Sequence, residues 1–373
     1  MFRRTSHLVA YWEDAGLRIR SYARGTSAFL RPAEVAVLDA LGEWRYRDHL
    51  DRLFPAYGRR PLTAFLNRMT RLGMIESSER RVHPLERALE AWEDWSPSAS
   101  YFHFDTRNMR YADAASTSEI LAAQEALEVL PPRIKSARGT HIGLPPFPRR
   151  GVFPTVLLSR RSWRRFGRKA MTLHDLSALL GLTWATQLWV RVGRSTRLAL
   201  KTSPSGGASH SLEAYVAVRD VQGLTRGVYH YAPDTHELVR LKQKWSASWI
   251  TRGLAGQAWA ARAQVVVFIT SVFARVQWKY RTPRAYRTIL IEAGHFCQTF
   301  CLVATWLGLA PFCTASLAER VIEPPLGADG VRESLMYVAG VGTRPPGVRW
   351  APYPDTPETP TTTLPSHRNR RHA

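Results

Sequence analysis

Cysteine is scarce in this 373-residue chain, with only Cys297, Cys301 and Cys313 present. Three thiols in one region imply no disulfide framework. A single Cys-x3-Cys with His295 nearby lacks the further ligands of a metal centre, so no metal is expected. Long apolar runs are also missing, none approaching the roughly 20 residues that cross a bilayer. The basic start, Arg3 and Arg4, is followed by Glu13 and Asp14 in place of a secretory apolar core, which predicts a cytoplasmic protein. Acidic residues are few, 30 against 52 Lys and Arg, for a net charge of +22. That excess favours acidic partners: an acidic peptide, nucleic acid or an anionic surface.

A hydrophobic content of 45% is enough to bury a sizeable core, and the length suggests about two domains. Residues 1–95 read as a small helical module. Residues 8–22 alternate loosely and supply one or two strands. Helices are predicted from Pro32, over residues 45–54, and from Pro61, where Leu62, Phe65, Leu66, Met69 and Leu72 fall at helical spacing before Gly73. Residues 74–82 look like a hairpin, and three helices with a hairpin suggest a winged helix. Arg59, Arg60, Arg68 and Arg71 give the third helix a basic face. That face fits DNA recognition, a peptide or partner platform, or simple solvation. Residues 96–150, punctuated by proline, read as a linker with one helix over 116–130. Residues 348–373, rich in Pro, Thr and Arg, read as a disordered basic tail.

Residues 151–347 carry the chemistry. The run Arg160-Arg161-Ser162-Trp163-Arg164-Arg165-Phe166 packs four guanidinium groups and a hydroxyl just before a helix over 173–182. These are the donors that hold a phosphate and a polyol, although a basic run also fits a solvated face. In Pro204-Ser205-Gly206-Gly207, the glycine pair lets the backbone approach a flat ligand. Residues 212–219 alternate as a strand, and a hairpin is expected around Pro233-Asp234. Residues 264–273 form the apolar run of a doubly covered strand. A long apolar helix starts near Pro283, and Gly340 and Gly342 sit in a last strand before Arg344. Trp245, Trp249 and Trp259 are expected to pack a core or lid, and His230 and His236 to flank the hairpin in structural roles.

Taken as an ordered set, these pieces resemble the nitroreductase-like flavoproteins and, within them, the SagB-type dehydrogenases of thiazole and oxazole peptide maturation. The matching residues are Arg160-Arg161-Ser162-x-Arg164-x-Phe166, Pro204-Ser205-Gly206-Gly207 and Gly227-Val228-Tyr229-His230-Tyr231. They continue through Lys279-Tyr280-Arg281, Glu292-Ala293-Gly294-His295-x-x-Gln298 and Gly340-x-Gly342. The resemblance implies an α+β fold with a mixed central sheet flanked by helices, behind the winged-helix-like module. It also implies FMN at the interface of a homodimer.

Arg160, Arg161, Ser162 and Arg164 would meet phosphate, ribityl or ring oxygen. Pro204, Ser205, Gly206 and Gly207 would lie against the isoalloxazine, with Gln298, Gly342 and Arg344 completing the cofactor site. One departure matters: ordinary nitroreductases place Asn and Gln after the Pro-Ser pair, where this chain has Ala208 and His210. Lys279 and Tyr280 stand where related azoline dehydrogenases use a Lys-Tyr pair. A lysine there can act as base if Arg281 and desolvation by Trp278 lower its pKa. The implied activity is oxidation of azoline rings in a precursor peptide, within a complex that includes a cyclodehydratase. The alternatives are a small-molecule FMN oxidoreductase using NAD(P)H and a catalytically silent peptide- or DNA-binding regulator. Nucleic acid and membrane are not the expected partners.

Overall fold

A computed structural model describes residues 1–79, 84–107, 145, 148–192 and 196–348. The N-terminal unit opens with β1 (Phe2–Arg4), followed by the meander β2 (Leu8–Glu13), β3 (Gly16–Ser21) and β4 (Thr26–Leu30). Helices α1 (Pro32–Ala40), α2 (Arg47–Leu53) and α3 (Arg59–Arg71) come next, and β5 (Ile75–Ser77) closes the unit by pairing antiparallel with β1. Residues 75–77 therefore form no local hairpin, because the N-terminal strand takes up their backbone groups. Helix α3 buries Leu62, Phe65, Leu66 and Met69, the stripe its spacing predicted, against Val37, Leu38 and Leu50. Buried Glu34 accepts from Arg31 and Arg68, which lower its pKa against the opposing effect of burial.

After α4 (Pro84–Leu89) the chain leaves this unit. Trp92 and Trp95, together with Ala99 of α5 (Ser96–Thr106), belong to the large core of the following domain. Trp92 donates to the carbonyl of Val331 at 2.9 Å, and Trp95 to that of Tyr280 at 3.0 Å. Fully buried His103 lies 2.7 Å from the Tyr286 hydroxyl through Nδ1 and 3.1 Å from the Gly330 carbonyl through Nε2. A carbonyl only accepts, so Nε2 carries the proton and Nδ1 accepts from tyrosine. Burial first, then Arg107, lowers this imidazole to about 3. The unfolded chain therefore binds the extra proton first. His103 contributes its full stability above about pH 6.5 and loses it progressively as pH falls towards 3. Thermal melts between pH 7 and 4 are expected to show Tm falling with acid, and His103→Gln is expected to flatten that slope. The expected helix over 116–130 and the tail over 353–373 lie outside the described residues.

The main domain continues through α6 (Val152–Ser159), α7 (Leu173–Trp184) and a two-stranded ribbon, β6 (Leu188–Val192) with β7 (Thr196–Leu200). Next come β8 (Leu212–Val218), β9 (Gly227–Ala232), β10 (Glu237–Arg240), α8 (Ala247–Gly253) and β11 (Val265–Val272). The chain then forms α9 (Ala274–Gln277), α10 (Ala285–Trp306), β12 (Ala310–Thr314), α11 (Glu319–Leu326) and β13 (Glu333–Gly342). The sheet order is β10-β9-β8-β11-β13-β12, with antiparallel pairing throughout. Where a mixed sheet was expected, parallel pairing among the described residues is confined to the bridge Met171–Val221. The hairpin around Pro233-Asp234 forms as β9 and β10.

Strand β11 sits at the centre and is buried on both faces. Val265, Val267 and Ile269 enter one core and Val266 and Phe268 the other, which explains the unbroken apolar run. Trp249 fills the second core with Trp245 and Trp259 packed against it. Among the described residues, α10 alone is long and apolar enough to cross a membrane. Ile289, Ala293, Phe296 and Phe300 nevertheless pack it into the first core, so it is the spine of the domain.

Candidate active site

Two groups of the expected residues assemble along α10. The first is the loop after β7. Ser203 is fully buried, with its hydroxyl 2.7 Å from that of Thr299, and His295 Nδ1 donates to the Pro204 carbonyl at 3.1 Å. Gly206 and Gly207 then form a tight turn, Gly207 at φ 61°, followed by Ala208 at 52° and His210 at 41°. Two non-glycine residues in the left-handed region mark a loop held by its surroundings. The Ser205 hydroxyl accepts from the His210 N–H at 2.9 Å.

Lys279 and Tyr280 follow α9 and close over Gly207. Lys279 Nζ donates to the Gly207 carbonyl at 3.1 Å. A Cβ at position 207 would lie 2.6 Å from that Nζ and 2.5 Å from the tyrosine oxygen, so a side chain there would displace the pair. The cleft beside it, about 600 Å³, is lined by Gly207, Ser209, Arg197, Arg275, Trp278 and Lys279, within the usual range for a small ligand. Trp278 is 71% exposed, so it gives Lys279 little of the desolvation the sequence suggested, and the cation Arg281 reaches out to Asp94 at 3.9 Å.

Behind the loop lies a buried polar cluster that sequence reasoning missed. Glu292, 2% exposed on α10, accepts from Ser211 at 3.2 Å. Burial raises its pKa against the pull of Ser205 and Ser211. Burial likewise lowers Lys201, with Glu213 opposing, and takes His210 down to about 4. Glu213 pairs with His230 at 2.6 Å and Arg275 at 2.5 Å, and Arg275 also donates to the His210 carbonyl. The signal available was a lone carboxylate in an apolar helix. Trp95, whose indole N–H fixes the Tyr280 backbone, carried no comparable signal.

The second group follows α6. Trp163 is buried and its N–H bonds the Pro311 carbonyl at 2.8 Å, while Phe166 packs on Phe312. Arg344 lies over Trp163 at 5.5 Å and donates to the Leu309 carbonyl, and Arg164 lies over Trp259 at 5.6 Å. Arg161 is exposed and turns back to the carbonyls of Leu158 and Arg160. Arg160 is close enough to favour the thiolates of Cys301 and Cys313, although neighbouring thiols and burial hold both well above the ordinary thiol range. Arg344 and the Trp163 backbone therefore lie beside the start of β12, while Arg161 stays at the end of α6 and Arg164 on Trp259. Gly342 has a packing reason to be glycine: a Cβ there would lie 2.3 Å from Gln264 Oε1.

The two groups meet α10 at His295 and near Cys301, about 9 Å of helix rise apart, and exposed Gln298 stands between them. One end offers guanidinium groups with a hydroxyl. The other offers backbone without side chains. That donor set fits an elongated ligand with a phosphate at one end and a flat ring at the other.

The Nitroreductase family model matches residues 157–343, which contain both groups. A Methanocaldococcus jannaschii protein assigned to the nitroreductases, MJ1384, is 35% identical over 189 residues, 51% of this chain and 89% of its own length. The trifolitoxin-processing protein TfxB of Rhizobium leguminosarum bv. trifolii is 34% identical over 140 residues, 36% of this chain but only 38% of TfxB. Among solved structures, the E. coli microcin synthetase McbBCD complex with truncated pro-MccB17 bound matches at TM-score 0.46 and 20% identity, covering 71% of this chain and 98% of that one.

Proposed function

The chain belongs to the nitroreductase family, and from that premise we propose that it is an FMN-dependent dehydrogenase of ribosomally made peptides, oxidising azoline rings to azoles. The observation that carries this reading is the Lys279–Tyr280 pair closed over the Gly207 backbone, beside an open cleft. Similarity to TfxB supports the peptide class of substrate. Arg160, Arg161, Ser162 and Arg344 would hold the phosphate end of FMN, and residues 204–207 would support its ring. Bound FMN supplies a two-electron acceptor for hydride. Lys279 takes the proton from the neighbouring ring carbon, and its bond to the Gly207 carbonyl aims Nζ at the loop. Tyr280, fixed through Trp95, limits the directions that Nζ can take.

A homodimer is part of the proposal. Val152, Phe153, Leu182 and Trp306 leave an apolar cleft of about 330 Å³ on α6, α7 and α10, a surface suited to a second copy. A cyclodehydratase would supply the azoline. The test is incubation of FMN-loaded protein with a thiazoline peptide: mass spectrometry should show loss of two hydrogens, and an intact peptide would overturn the reading. The second reading, a small-molecule oxidoreductase, draws on MJ1384. It predicts NAD(P)H-dependent reduction of a nitro compound and no change in the peptide.

A further inference from the structure

Helix α10 is apolar over much of its surface, yet the face it turns to the loop after β7 is polar. Thr288, Glu292, His295 and Thr299 stand four, three and four residues apart, which places them on one side of the helix. Each meets its own part of the loop, and helix and loop run in opposite directions. The Thr299 hydroxyl pairs with that of Ser203 at 2.7 Å, and His295 bonds the Pro204 carbonyl at 3.1 Å. Glu292 comes next and accepts from the Ser211 hydroxyl at 3.2 Å, and the Ser205 hydroxyl also turns to it. Ser205 accepts from the His210 N–H, so its own proton is free for the carboxylate. Thr288 completes the series against Gly206, where a Cβ would lie 3.3 Å from the threonine Cβ. The following residue, Gly207, offers the carbonyl that Lys279 holds.

Glu292 differs from its neighbours on this face. It is 2% exposed, and it ties both sides of the turn, Ser205 before the glycines and Ser211 after them. Burying an ionisable group costs free energy that an apolar side chain does not, and Ile289, Ala293 and Phe296 fill the adjoining core positions without it. The carboxylate is therefore accounted for by what it holds. We propose that Glu292 is a positioning residue of the reaction: by fixing Ser205 and Ser211 it sets the Gly207 carbonyl, and through that carbonyl it aims the Lys279 amine. Its effect passes through two peptide units, Ser205–Gly206 and Gly206–Gly207, and it takes no part in the bond changes. The inference rests on the dehydrogenase reading for the reaction, and on hydrogen bonds alone for the geometry.

The test compares Glu292→Leu and Glu292→Gln in full-length, FMN-loaded protein. Leucine removes both acceptors at similar size, whereas glutamine keeps one oxygen for the Ser211 hydroxyl. With a thiazoline peptide, Glu292→Leu should lower kcat about ten- to hundred-fold, the effect of roughly an ångström of misplacement, and leave KM within about three-fold. Glu292→Gln should recover most of that loss. Combined with Lys279→Ala, Glu292→Leu should add nothing to the loss that Lys279→Ala causes alone, whereas independent losses multiply. A second readout needs no turnover. Acetic anhydride attacks only the free amine, and the Gly207 carbonyl holds the charged ammonium. Glu292→Leu should therefore speed acetylation of Lys279 about three-fold or more, the worth of one hydrogen bond, as read by mass spectrometry after digestion. If Glu292→Leu loses its flavin or, by circular dichroism, its fold, Ser205→Ala cuts the same link from the loop side and is judged by the coupling to Lys279→Ala and by acetylation. Multiplying losses, equal loss in the glutamine and leucine variants, or unchanged acetylation of Lys279 would overturn the proposal. Wild-type protein that leaves the peptide intact would count against the dehydrogenase reading alone, and the acetylation rates would still decide whether Glu292 sets Lys279.

Discussion

Lys279→Ala is expected to retain FMN and lose turnover by about two to four orders of magnitude, the usual worth of a positioned acid or base. The reason is the division of the site along α10. Lys279 makes its bond to the Gly207 carbonyl beside the glycine loop, whereas Arg160 lies near Cys301 and Arg344 over Trp163. Removing the amine therefore takes away a proton acceptor and one neutral-acceptor hydrogen bond, and leaves the phosphate donors untouched. Tyr280→Phe tests positioning. The ring and the Trp95 bond to the backbone carbonyl both survive, so a smaller loss is expected. Lys279→Arg should not rescue, because guanidinium stays charged and accepts no proton. Turnover and flavin absorbance measured on the same preparations separate the two effects, and unchanged turnover in Lys279→Ala would show that the base lies elsewhere.

Arg160→Ala with Arg161→Ala is expected to yield colourless protein. Hydrogen bonds to charged groups contribute roughly 1.5–3 kcal/mol each. Losing two therefore weakens FMN binding by about two to four orders of magnitude. The fold should survive, because the buried residue of this stretch is Trp163, anchored through its own backbone to Pro311. Absorbance of purified protein, followed by equilibrium dialysis against added FMN, checks this. Full flavin content in the double variant would move the phosphate site away from this stretch.

The glycine pair and the arginine run stand out in the sequence by residue type and local spacing, whereas the Lys279-Tyr280 step was singled out through the family resemblance. The central strand was legible because a strand covered on both faces must be apolar at every position. The helices of the N-terminal unit were legible from their periodicity. Pairing between distant segments left no such local trace. The capture of residues 75–77 by β1 depends on two strands about seventy residues apart in sequence meeting in space. The burial of Trp92 and Trp95 in the first core of the main domain, and the seating of Tyr280 by Trp95, arise in the same way. The buried cluster of Lys201, His210, Glu213 and Glu292 exists only once β7, β8 and α10 are stacked, since burial is what shifts those groups. Local motifs and the family resemblance they carry thus named the candidate groups in the sequence, and periodicity named the elements that hold them. Tertiary packing alone decided which of those groups stand together, because desolvation and long-range hydrogen bonds are properties of neighbours in space.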